Sequence, residues 1–330
     1  QPLTGAAPAG NVETPLGNAM RTVKRLLRDE DGIKSTDFDY ILLGSAPGQS
    51  NTAIAGLAKG STPYTNLIND VTYGLANAQT AGKSYCVDVV YWSQGERDIQ
   101  LGTARLTYKN ALLQLYADLN ADIKAITGQT HDIKIVMYQC TTYDQFTAGY
   151  AGANIALAQL DAAKANSNII LATSVYAVEH LTATNVHLTA AGYAILGGYY
   201  GLAAKRAVVD GDQWANLFPT RLTRQGKILE IEFPDTGYPI AASSTLFPSQ
   251  ANYGLAAVQT DGTTDNPIVS VTVTAPRRVR VVLTNALPGY LRYGFASWGG
   301  NLHDTCDIDP GTARSLTLYR PVLTFDEAFQ

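Results

Sequence analysis

Up to about residue 207, short apolar runs alternate with stretches of helical periodicity. The runs are Tyr40–Leu43, Val87–Tyr91, Ile133–Tyr138 and Ile169–Val175. Each is β-branched or aromatic-rich, is of strand length, and ends in Gly, Ser, Thr or Gln. Near-continuous apolar strands of this kind belong to a parallel sheet buried on both faces. Between them, Tyr108, Leu112, Leu115, Leu119, Ile123 and Ile126 step by three or four and define one helix face, with Asp118, Asp122 and Lys124 off the stripe. Tyr64–Ala81 and Phe146–Asn166 have Ala-rich faces suited to packing on a sheet, Asn18–Arg28 has a helical pattern, and a last helix is expected from Thr189 to Ala207. Alternation on this scale predicts an α/β sandwich with right-handed crossovers.

The texture changes after Asp210. Ile228–Phe233, Ile268–Val273 and Val279–Leu283 are short and strand-like, punctuated by Asp235-Thr236-Gly237, Asp261-Gly262 and Asp265-Asn266-Pro267. The chain therefore divides into an α/β domain over 1–210 and a β-rich accessory domain over 211–330, expected to be a small β-sandwich or jelly-roll-like module.

Composition narrows the function. Of 330 residues, 46% are hydrophobic and 16% charged, enough for a sizeable core and too little charge for a disordered chain. The net charge of -4, with no Lys/Arg cluster, argues against a nucleic-acid partner. No apolar run is long enough to insert into a membrane. Cys86, Cys140 and Cys306 form no C-x-x-C pair and show no zinc spacing, so buried free thiols and no metal are expected. His131 and His180 are expected at the surface.

Standard motifs fail. Gly82-Lys83-Ser84 ends like a phosphate loop, but Asn77 stands where its first Gly is required. There is no G-x-G-x-x-G, no H-E-x-x-H and no G-x-S-x-G. No cofactor is implied. What remains is three segments at strand ends or before a helix: Gly48-Gln49-Ser50-Asn51, Trp92–Asp98, and Asn185-Val186-His187-Leu188-Thr189. Open α/β sheets bind ligands there. Together they offer a hydroxyl, amide donors, a carboxylate and an imidazole, the parts for acyl transfer. Thr189 is a plausible N-cap, which places His187 at the mouth of the last helix as a candidate general base.

W-x-Q-G-E-x-D at Trp92–Asp98, with G-Q-S-N and V-H-L-T before a final helix, resembles the SGNH-hydrolase superfamily, in particular its sialate O-acetylesterase-like and carbohydrate acetylesterase branch. The resemblance continues through Ala191-Gly192-Tyr193, Leu196-Gly197 and Tyr199-Tyr200-Gly201 into a tail ending near Gly300–Asp304. It implies a flavodoxin-like three-layer sandwich with a parallel sheet and a carbohydrate O-acetylesterase acting by serine acyl transfer. His187 would be the general base, Gln94 an oxyanion donor and Glu96 the acid that organises the site. Gly48, Asn51, Gly95, Trp92 and Thr184 would line the oxyanion and substrate side.

Two departures follow from the same comparison. Thr184 stands where the branch usually carries Asp, three residues before the His, and a hydroxyl cannot stabilise an imidazolium as a carboxylate does. The family's nucleophile follows its first strand, whereas a helix precedes the strand leading to Ser50. Two alternatives therefore stand: Ser50 is the nucleophile, or the nucleophile lies on a strand upstream of Gln1 or on another subunit. An unpaired sheet edge would accompany the second.

The expected partner is an O-acetylated glycan or polysaccharide, at an extracellular or virion surface. The competing reading is an inactive glycan-binding or structural part of an assembly such as a phage tail spike or fibre. In the tail, Tyr290 and Trp298 are expected to serve the core as strand aromatics, with stacking on a sugar ring as the alternative. His303 and Asp304 are expected to be solvated loop residues.

Overall fold

A computed structural model describes residues 14–34, 36, 40–141, 150–181, 186–212, 214–244, 249–295, 299–306 and 318–330. Thr184, Asn185 and Trp298 lie outside the described residues.

The chain opens with α1 (Pro15–Asp29), followed by α2 (Thr62–Thr80), whose N-cap Ser61 accepts the Tyr64 N–H. Next come β1 (Val89–Trp92), α3 (Glu96–Leu101), α4 (Arg105–Thr127), β2 (Lys134–Gln139), α5 (Tyr150–Ala165), β3 (Ile169–Ser174) and α6 (Ala190–Ala204). The order is β1-β2-β3, all parallel, as the apolar runs predict. β2 and β3 are almost wholly buried, and both α5 and α6 pack against them. On α4 the predicted stripe Tyr108, Leu112, Leu115, Leu119 and Ile123 is buried; Ile126 is half-buried.

Helix α1 covers α6 at very short range. A Cβ added to Gly197 would stand 2.4 Å from the Pro15 carbonyl oxygen, and one on Gly201 2.5 Å from that of Ala19. The two glycines lie one turn apart on the same face, so their spacing lets the backbones meet.

The predicted strand Tyr40–Leu43 is not a strand. It carries no strand pairing among the described residues, with Ile41 70% and Leu43 66% exposed. It runs beside α1: Gly44 sits against Leu16 and Met20, and Lys24 lies over the Tyr40 ring. A strand needs a neighbour to take its backbone hydrogen bonds, and none is offered among the described residues. Among the described residues the parallel sheet is three strands wide, and β1 is paired on one side only, its residues half-buried.

Beyond residue 220 the chain is antiparallel. β4 (Arg221–Gln225), β5 (Ile228–Glu232), β9 (Arg278–Leu283) and β8 (Ile268–Ala275) form one sheet in the order β4-β5-β9-β8. Leu229, Ile231, Val279 and Val281 face inward, while Glu230 and Arg280 pair on the outer face, as strand alternation requires. A second sheet joins β12 (Phe325–Phe329), β10 (Gly289–Tyr293) and β7 (Leu255–Gln259), and a third joins β6 (Ile240–Ala242) to β11 (Leu302–Asp304). In place of the two facing sheets expected of a sandwich, the pairings divide the strands among three sheets.

The two halves are tied where β2 ends. Gln139, fully buried, donates to the Thr324 carbonyl (2.9 Å) and accepts from its N–H (2.7 Å). Tyr176, just beyond β3, donates to the Val322 carbonyl at 2.7 Å. The β-rich half is thereby fixed close to the C-terminal ends of the parallel strands, where the candidate site lies.

Candidate active site

The site is built on the turn that follows β1. Gly95 is the N-cap of α3 with φ of 150°, a conformation glycine tolerates best. A Cβ there would stand 2.2 Å from the Cys140 Sγ. This lets Gln94 and Asp98 turn inward on one side of Gly95 while Glu96 stays half-buried.

Asp98 is 1% exposed and organises the inner side. Its Oδ2 accepts from the Ile54 N–H (2.8 Å) and from Gln94 Nε2 (2.5 Å), and its Oδ1 from the Thr103 hydroxyl (2.8 Å). Gln94 also donates to the Thr52 carbonyl at 3.2 Å, and its Oε1 accepts from Tyr108 at 2.8 Å. Both hydrogens of the Gln94 amide are thus used inside the protein. As placed, Gln94 ties two loops together, because a buried carboxylate must collect donors.

The same bonds bring the Ser50 turn to this corner. Asn51 adopts φ of 53°, which Asn tolerates, and the Thr52 hydroxyl donates to the Ser50 carbonyl at 3.0 Å. With the Thr52 carbonyl on Gln94 and the Ile54 N–H on Asp98, Gly48, Ser50 and Asn51 form an exposed turn beside the buried pair.

Glu96 accepts a 2.6 Å hydrogen bond from Tyr138, which belongs to β2. Burial, then the Glu96 charge, holds the Cys140 thiol well above its ordinary value, so this cysteine stays a neutral thiol. Tyr200 of α6 packs on the same rim: its ring stacks on Tyr91 at 5.4 Å, and its hydroxyl meets Ser93 at 2.9 Å and the Trp92 carbonyl at 3.2 Å.

His187 is exposed and lies two residues before the N-cap of α6. Thr189 caps the helix as predicted, accepting the Gly192 N–H at 3.0 Å. The loop before it is closed by a His180–Leu188 bridge and by the Leu181 N–H on the His187 carbonyl at 2.9 Å. Tyr193 lies two turns before Tyr200 on α6, and burial raises its hydroxyl above the ordinary value. The His187 segment lies between β3 and α6 and the Gln94–Asp98 corner follows β1, so both stand at the C-terminal ends of the parallel strands, where hydrogen bonds also hold the Ser50 turn. Trp92 is half-buried at the end of β1.

Several residues have a place in the site that the sequence alone does not signal. Tyr108, Tyr138 and Gln159 hydrogen-bond within it but lie in separate elements, and no local signature gives them that role. Asp98 closes the Trp92–Asp98 motif, and only its burial shows its role. Other readings change. Cys86 is exposed, unlike Cys140 and Cys306. His180 is half-buried with its ring on the Val175 carbonyl at 3.1 Å. His303 and Asp304 are buried on β11, where desolvation holds the imidazole below its ordinary value and Asp304 pairs with Arg320 at 3.1 Å. Tyr290 lines a separate cleft of about 480 Å³ with Arg105, Arg292 and Asp326.

A parallel sheet with polar and ionisable groups gathered at its C-terminal rim defines an α/β protein of the kind that carries its chemistry on strand-end loops. The model of the carbohydrate esterase, sialic acid-specific acetylesterase family matches residues 42–206, half of the chain, and the chain belongs to that family. A crystal structure of a carbohydrate acetylesterase from Xanthomonas citri shares the fold, with a TM-score of 0.62 and 17% identity over 94% of this chain. The chain spans 64% of the length of that esterase. Two structures of the bacterial S-layer protein SbsC align with TM-scores of 0.21 and 0.22, at 14% and 12% identity, over 96% of this chain and 78% and 44% of theirs, too weak a likeness to carry an argument. No curated protein matches. The comparisons give no support to a tail-spike or fibre component. Among the described residues, no helix is long and apolar enough to cross a membrane.

Proposed function

We infer that this protein is a carbohydrate O-acetylesterase working by serine acyl transfer at the Ser50–Glu96–His187 rim, with an O-acetylated glycan as substrate. The observation that supports the reading is the bonding of the Ser50 turn to the Gln94–Asp98 corner, at the same end of the parallel sheet as Glu96 and the segment before α6. Ser50 attacks the acetyl carbonyl and His187 takes its proton. Backbone N–H groups of the Gly48–Asn51 turn hold the oxyanion. Gln94 joins them when its longer bond, to the Thr52 carbonyl, opens. His187 then protonates the departing sugar oxygen, and water releases acetate by the reverse sequence. Glu96, held by Tyr138, supplies the negative charge that Thr184 cannot. Sialate-like sugars are the substrate class that the family description favours.

A second reading is favoured by the open edge of β1 and the exposed Ile41–Leu43 segment: the reactive serine comes on a further strand laid along β1, from additional polypeptide or another subunit. Fluorophosphonate labelling with peptide mapping separates the two. In an active preparation the first reading expects label on Ser50 and loss of both label and acetate release in Ser50→Ala. Full activity in Ser50→Ala, with label on another chain or segment, selects the second. Glycan binding with neither label nor acetate release in any preparation would remove both.

A further inference from the structure

At the opposite, N-terminal end of the sheet, Cys86, Asp88 and His131 converge. Cys86 and Asp88 flank Val87 just before β1, so their side chains leave the extended backbone on the same side. His131 precedes β2, and the parallel register, Val89 opposite Lys134, brings the two strand starts side by side. Asp88 presents one oxygen to each neighbour: Oδ1 lies 2.8 Å from His131 Nε2, and Oδ2 lies 3.6 Å from Cys86 Sγ. The three donor atoms all fall within 4.8 Å of one another.

The scaffold beneath this trio is fixed. Gln129 grips the backbone of Val87 from both sides, accepting its N–H at 2.9 Å and donating to its carbonyl at 2.9 Å. It also donates to the His131 carbonyl at 3.3 Å. One side chain thus holds the backbone that carries all three donors. The Asp88 carbonyl accepts the Lys134 N–H at 2.8 Å, closing the frame.

We propose that Cys86, Asp88 and His131 form a binding site for a zinc-class divalent transition ion, with water as the fourth ligand. The donor set combines one sulfur, one carboxylate oxygen and one imidazole nitrogen, a mixture that suits borderline-soft ions and not magnesium or calcium. A tetrahedral ion with bonds of about 2.0–2.3 Å needs donors roughly 3.3–3.6 Å apart. The sulfur–oxygen distance already meets this, and side-chain rotation brings in the nitrogen. The ion takes the place of the Asp88–His131 hydrogen bond, and the Cys86 thiol proton is released to solvent on binding. It links the loop before β2 to the start of β1, at the end of the sheet remote from the esterase rim, and takes no part in ester hydrolysis.

Titration of untagged, chelator-treated protein with cobalt(II) tests the proposal, since cobalt reports thiolate ligation through a sulfur-to-metal charge-transfer band. Cys140 and Cys306 are buried, so such a band is assignable to Cys86. The wild type is expected to bind one equivalent with that band. Cys86→Ser is expected to lose the band, and His131→Gln to bind more weakly by at least roughly 100-fold, as removal of even an outer-shell partner costs about 10–100-fold. All three proteins should keep the same far-ultraviolet circular dichroism. Absence of the band in the wild type, its persistence in Cys86→Ser, or unchanged affinity in His131→Gln would each overturn the site.

Discussion

His187→Ala is expected to lower the turnover of p-nitrophenyl acetate by roughly 10²–10⁴, the contribution of a positioned general base. His187 is exposed, and the loop is closed by its backbone carbonyl and by the His180–Leu188 bridge, none of which uses the imidazole. A variant with the wild-type melting temperature and a collapsed kcat would thus isolate chemistry from stability. Groups that act as a unit are not additive, so Ser50→Ala combined with His187→Ala should be no slower than the slower single variant. If the two losses multiply, Ser50 and His187 do not share a step, and the nucleophile has to be sought on another strand. Equal rates for wild type and His187→Ala would take His187 out of the mechanism.

Gly95→Ala is expected to destabilise the protein by about 3 kcal/mol or more, the scale of overpacking a dense core at a strained backbone position. Two costs add. An L-residue is held at φ of 150°, and its Cβ is driven to 2.2 Å from the Cys140 Sγ. Gln159 and Ile155, each 3.1 Å from that Cβ, block the escape. The Gln159 side chain also donates to the Gln94 carbonyl at 3.0 Å and accepts the Cys140 N–H at 2.7 Å, so the clash spreads into the hydrogen bonds that hold the corner. Urea denaturation reads the loss as a lower midpoint at constant m. Adding Cys140→Ala should return part of the stability, because it removes the sulfur but leaves the backbone strain, and the double-mutant cycle separates the two costs. An unchanged midpoint in Gly95→Ala would mean that the turn after β1 is not packed as described.

Asp98→Ala tests the inner side of the same corner. Three donors lose their acceptor: the Ile54 N–H, Gln94 Nε2 and the Thr103 hydroxyl. Stranding buried donors costs about 1–3 kcal/mol each before relaxation. Because Ile54 anchors the Ser50 turn, the loss should appear in acetate release as well as in the melting temperature. A variant with full activity and full stability would separate that turn from the corner.

Much of the architecture follows from periodicity alone. The β2 and β3 runs, the α4 stripe and the Thr189 cap are local patterns, and each reports a face that must be buried or an N–H that must be satisfied. The Tyr40–Leu43 run has the same local character and fails as a strand, since pairing is a property of two segments. Composition does not say whether a neighbour is present. The same reasoning applies to Gln94: the motif marks it as important, yet which way its amide turns is decided by the charge of Asp98, four residues on, buried and in need of donors.

By itself, the sequence determined that this is a parallel α/β protein with a β-rich tail, and it marked the segments around Ser50, Trp92–Asp98 and His187 as candidates for its chemistry. Burial patterns and capping residues are written one turn or one strand at a time. Only the tertiary structure decided which of these groups face inward, that Tyr138 holds Glu96, that the Ser50 turn is bonded to the Gln94–Asp98 corner, and that Cys86, Asp88 and His131 meet at the far end of the sheet. Those are encounters between residues tens of positions apart, and they exist only once strands lie in register and helices close over them.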